Sequence, residues 1–139
     1  MATVIRPEIS SNNPYYIDRH RYYELKHFCL QHSEFKKAYA DYSNMYASSV
    51  AFERQRGQRM PSDITSRHAI KKLELKNKID MIENAAKATD EYLWPFILQA
   101  VTEGLSFTFL RTKLNIPCGR DTYYTLYRKF FYLLSEARG

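Results

Sequence analysis

Glycine and cysteine are scarce in this chain. Four glycines and five prolines in 139 residues leave too few tight reversals for a β-sandwich or β-barrel. Two cysteines, Cys29 and Cys118, make no disulfide framework and point to a reducing compartment. The longest apolar run, Tyr92 to Val101, is interrupted by Pro95 and Gln99 and falls well short of the roughly 20 residues of a membrane span. The opening residues, Met-Ala-Thr-Val-Ile-Arg-Pro, carry no apolar segment of the signal-peptide kind. A cytoplasmic protein with no membrane partner is expected.

Sites of chemistry are missing too. No glycine loop of the phosphate-cradling kind is present, and Asp80, Glu83, Asp90 and Glu91 form no recognisable carboxylate constellation. His27 and Cys29 stand two residues apart, so on a helix they point away from each other and from a shared metal. Cys118 sits beside Arg120 near a helix start, where a thiolate would be favoured, but no histidine lies near in sequence to serve as its base. The expectation is therefore no enzyme, no cofactor, no metal and no catalytic residue.

What the chain does have is tyrosine and unevenly placed charge. Twelve tyrosines stand beside eight phenylalanines and one tryptophan. A tyrosine buries its ring and keeps a polar tip, so these residues either coat a thin helical core or form a contact surface. The formal charge of +6 is not spread evenly. Met1 to Glu53 holds six basic and six acidic residues, whereas Arg54 to Lys78 holds eight basic against two acidic. Ile79 to Glu103 has one basic against five acidic, and Gly104 to Gly139 six basic against two acidic. Two basic blocks around an acidic helix suggest an oriented polyanion-binding surface, the competing reading being a solvated basic face.

Periodicity predicts an all-α chain. Residues 1–13 read as a flexible arm, with Pro7 and Ser10-Ser11-Asn12-Asn13. Residues 14–43 read as an N-terminal helical hairpin. Its first helix spans Tyr15 to Gln31 on a Tyr22, Leu25, Cys29 stripe, and its second, capped by Ser33, runs to about Tyr42. Residues 44–64 read as a flexible connection, being polar and containing Gly57 and Pro61. Residues 65–139 read as a long helix plus a helix-turn-helix unit. The long helix carries Leu75, Ile79, Ile82 and Ala86 at seam spacing, which serves either an internal core or a dimer.

The last fifty residues carry most information. A helix through Phe96, Ile97, Ala100 and Val101 ends at Gly104. A short helix from Ser106 turns Phe107, Leu110 and Leu114 inward. Ile116 plugs a tight connection, and a third helix starts near Arg120. At about 100° per residue, Tyr123, Leu126, Tyr127, Phe130, Leu133 and Leu134 gather on one side of that helix, and Asp121, Thr125, Arg128, Lys129 and Tyr132 on the other. Tyr124 and Phe131 fall between, which predicts a second contact, either with the N-terminal hairpin or with another subunit. The pattern fits a recognition helix in a DNA major groove. Arg120, Thr122, Thr125, Arg128 and Lys129 are then the reading residues, with Lys71, Lys72, Arg111 and Lys113 docking on phosphates.

Glu103-Gly104-Leu105-Ser106-Phe107 with Leu110 and Leu114-Asn115-Ile116 resembles the helix-turn-helix of sigma-factor region four. Gly119-Arg120-Asp121-Thr122-Tyr123-Tyr124 with Arg128-Lys129 resembles the recognition helix of phage regulators of the RinA/ArpU type. The turn Pro117-Cys118-Gly119 is longer than the sigma-type turn. The resemblance covers about residues 80–139 and implies a phage or prophage transcription regulator in a bacterial host, with duplex DNA and host RNA polymerase as partners and a homodimer as one form. The segment from Asn13-Pro14-Tyr15-Tyr16 to Cys29-Leu30 is similar to short Gram-positive prophage proteins. That context also admits an inhibitor of the anti-CRISPR kind, binding a CRISPR effector complex by protein or guide-RNA contacts.

Overall fold

The computed structural model describes residues 13–55, Gly57 and 63–139. The chain is all-α: its described helices are α1 (Arg19–Leu30), α2 (His32–Gln55), α3 (Asp63–Lys87), α4 (Trp94–Glu103), α5 (Phe107–Thr112) and α6 (Arg120–Arg138). No strand occurs among the described residues, and none of these helices is long and apolar enough to cross a membrane. The arm expected at 1–13 lies outside the described residues apart from Asn13.

The chain divides into two compact units whose boundaries fall inside helices. One unit takes the chain up to His32 together with Met81 to Gly139, and the other runs from Ser33 to Asp80. In the first, α1 packs on α4 and α6, and α4 also meets α5. Leu25, Ile82, Ile97, Leu110, Phe130 and Leu134 are fully shielded from water there, each such side chain contributing about 1.5–3 kcal/mol. The helix partners of α1 are thus α4 and α6, where the sequence had suggested a hairpin with α2. Arg21 fixes α1 to the last turn of α6, donating from Nε to Ser135 Oγ at 3.1 Å and from Nη2 to the Ser135 carbonyl at 3.0 Å. Arg138 answers from α6, pairing with Glu24 at 3.3 Å and covering the Phe28 ring at 4.1 Å.

The second unit pairs α2 and α3 antiparallel. Phe35 meets Lys78, Tyr39 and Tyr46 meet Lys72, and Tyr42 and Ser49 meet His68. Here the expected connection over 44–64 is corrected. Helix α2 continues to Gln55 and α3 begins at Asp63, because Tyr46 and Ser49 continue the spacing of three and four from Tyr39 and Tyr42 on the side that meets α3. Of that connection, Arg56 and residues 58–62 lie outside the described residues. Helix α1 likewise starts four residues later than the periodicity suggests. Asn13 folds Pro14 and Tyr15 into a turn, its carbonyl accepting from the Tyr16 amide at 3.1 Å and its Oδ1 from the Tyr15 amide at 3.0 Å.

Candidate nucleic-acid interface

Local signals set the angles among the last three helices. Pro95 lies in the first turn of α4, where a missing N–H costs nothing. Asp90 acts one turn earlier than a direct cap, its Oδ2 accepting from the amides of Tyr92 and Leu93 at 2.9 and 2.8 Å. Helix α4 ends on Gly104 at φ 69°, and the Leu105 amide returns to the Ala100 carbonyl at 3.0 Å, a closure that needs the left-handed residue. Ser106 then caps α5 by accepting from the Phe109 amide at 3.1 Å. Beyond α5, Asn115 takes φ 54°. The Ile116 amide reaches back to the Leu110 carbonyl at 3.0 Å, which drives the Ile116 side chain into the core.

The inner side of α6 is as the spacing predicts: Tyr123, Leu126, Phe130 and Leu134 are buried, while Tyr127 and Leu133 are half-buried. Phe131 is buried as well, edge-on to Tyr22 of α1 with centroids 5.1 Å apart; this is the second contact expected for the intermediate face. The Tyr127 and Tyr22 hydroxyls share a 2.6 Å hydrogen bond. Burial pushes the Tyr123 and Tyr127 phenols well above their ordinary range, with the neighbouring Tyr22 adding to both.

The outer side divides into two stretches. Arg120, Asp121, Thr122 and Thr125 are exposed, and Arg111 and Lys113 are exposed on and after α5. Arg111 donates from Nη1 to the Cys118 carbonyl at 3.5 Å. The Arg120 guanidinium lies over the rings of Phe107 and Tyr124 at 5.4 and 5.7 Å and donates to the Tyr124 hydroxyl at 3.2 Å. Cations and hydroxyls are therefore exposed on α5, just after it and in the first turns of α6, Arg120 seated on two rings, and Asp121 is the one acidic residue between Gly104 and Ser135. Thr125 Oγ1 is turned inward to its own helix, on the Asp121 carbonyl at 2.9 Å, while Thr122 stays open.

Toward the C-terminus that face is used by the fold. Arg128 and Lys129 are half-buried. Lys129 Nζ donates to the Thr89 carbonyl at 3.1 Å, meeting the oxygen left over where α3 ends. Tyr132 stacks near Tyr15 at 5.8 Å. Lys71 and Lys72 belong to the other unit, where Lys71 pairs with Glu74 at 3.6 Å and Lys72 lies over two tyrosine rings.

The Cys118 thiol is raised above its ordinary value by burial, with Arg111 opposing and Asp90 adding, so the thiolate that its neighbours in sequence suggested is disfavoured. Cys29 is shut in the core, and burial holds its thiol well above the usual value. The Phe107–Arg120–Tyr124 stack escaped the sequence reading. The i, i+4 spacing of Arg120 and Tyr124 was the signal for it, but Phe107 joins them only through the turn.

Fold and site together define an all-α protein with a basic, hydroxyl-bearing edge on its last two helices. Comparison with family models, with curated proteins and with solved structures gives no match to this chain.

Proposed function

We propose that this protein binds duplex DNA through α5 and the first turns of α6, using α4 to α6 as a helix-turn-helix. In this reading it is a transcription regulator of the phage type that the resemblance implies. The observation that carries this reading is the exposed set of Arg111, Lys113, Arg120 and Thr122, with Arg120 seated on two half-buried rings and a single carboxylate, Asp121, among them. Guanidinium and ammonium groups on such an edge match phosphate oxygens, and an arginine at the start of a helix suits the donor and acceptor pattern of a base edge. Lys129, already hydrogen-bonded to Thr89, is left out of the reading set, and Arg128 remains as its half-buried margin.

The experiment is duplex binding by the full chain at several salt concentrations. Affinity should fall steeply with salt, and the variant carrying Arg111→Ala, Lys113→Ala and Arg120→Ala should lower the slope by roughly two to three units, about 0.9 for each phosphate contact removed. Duplex affinity that ignores salt, or a triple variant that binds like the parent, overturns the proposal. Retention of a nuclease complex without any duplex affinity would favour the inhibitor reading instead.

A further inference from the structure

The unit from Ser33 to Asp80 carries a feature that DNA binding does not use. Tyr39 and Tyr46 of α2, with Ala69, Lys72, Leu73 and Lys76 of α3, line a groove of about 320 Å³. Both rows step by seven residues, so the groove follows two helical turns, about 10 Å of axis. Its apolar α3 side is wet, Leu73 being 59% exposed. Its floor is cationic. Lys76 is paired with Asp80 at 3.3 Å, but among the described residues no carboxylate pairs with Lys72, whose ammonium rests over the two ring faces at 5.5 and 5.6 Å.

We infer that this groove docks an acidic amphipathic helix of a partner protein, apolar side chains entering between Tyr39, Tyr46 and Leu73 and a carboxylate reaching Lys72. Helix-in-groove recognition needs apolar anchors one and two turns apart, and Ala69 with Leu73 and Tyr39 with Tyr46 supply them beside the lysines. Charge selects the occupant. Residues 33–80 hold ten basic against six acidic groups, so a second copy meets like charge, whereas an acidic helix meets its complement. A single nucleic-acid strand would need the tyrosine faces as stacking platforms. Lys72 already covers one face of each, and the aliphatic Leu73 beside them gives such a strand nothing to pair with.

The test uses the full chain and a labelled synthetic peptide of about 18 residues, long enough to form a helix, with leucines at i, i+3, i+4 and i+7 and glutamates opposite. It should bind saturably, and Lys72→Gln and Leu73→Glu, both with unchanged far-UV circular dichroism, should each weaken it by about tenfold. Three results overturn the inference: equal binding by a peptide with lysines in place of the glutamates, displacement of the acidic peptide by oligothymidylate, or variants that bind like the parent. A dimer that Leu73→Glu converts to monomer, with no peptide binding, would assign the groove to a second copy and overturn it as well.

Discussion

Cations that are neighbours in this protein are engaged differently, and sequence alone does not distinguish them. Lys129 and Arg128 are neighbours on one helix face, yet Lys129 completes a main-chain carbonyl of another element while Arg128 makes no ion pair among the described residues. The buried acids of the first unit give a prediction at this scale. Cys29 and the phenols of Tyr123 and Tyr127 are raised above their ordinary values of 9.0 and 10.0 by burial. The folded chain thus keeps these protons to higher pH than the unfolded chain. Their contribution to stability is complete below about pH 9 and is lost as pH climbs past those ordinary values. Unfolding free energies from urea titration should fall from pH 9 upward, by at most about 1.4 kcal/mol per pH unit for each group. Tyr127→Phe should flatten the decline above pH 10; an unaltered slope would show that this phenol does not titrate on unfolding.

Among elements, helix ends were more readable than helix partners. Gly104, Ser106 and Pro95 mark their positions by local chemistry, and the structure uses each as such. Ser106→Ala should cost about 1 kcal/mol through its lost cap. Gly104→Ala should cost a similar amount, about 1 kcal/mol, through left-handed backbone strain; its added Cβ would meet Leu30 only at ordinary contact, 3.4 Å. Urea unfolding of the two variants checks both numbers. The second half of α2 was not readable, because serines and asparagine there favour turns, while the stabilising Tyr39, Tyr42 and Tyr46 contacts come from α3, distant in sequence. The outer face of α6 was legible as polar, but its split into an open and an engaged stretch depends on Thr89 and Tyr15, which no periodicity within α6 can reveal.

For the whole molecule, the two units differ in how much they bury. Between Ser33 and Asp80 only Thr65 and Ile79 are buried among the described residues, and the Ser43 hydroxyl is enclosed there without a hydrogen-bond partner. Amides of this unit should exchange with deuterium through openings several kcal/mol cheaper than those around Leu25 and Phe130, as measured by hydrogen exchange on the intact chain. Equal protection throughout would contradict this. The first cut between the units falls where the sequence already marks a helix break, at His32-Ser33, and the second falls inside α3 beside the switch from basic to acidic charge near Lys78. The helix pattern itself runs through that second point, so periodicity does not show it.

The first unit is also discontinuous: α1 is held by Ser135 of α6, more than a hundred residues further along. During synthesis, then, α1 is made before either of the helices it packs on, α4 and α6. Tyr22, Leu25 and Phe28 lack these partners while the whole of the Ser33–Asp80 insert is made, and the body closes only once α6 has followed.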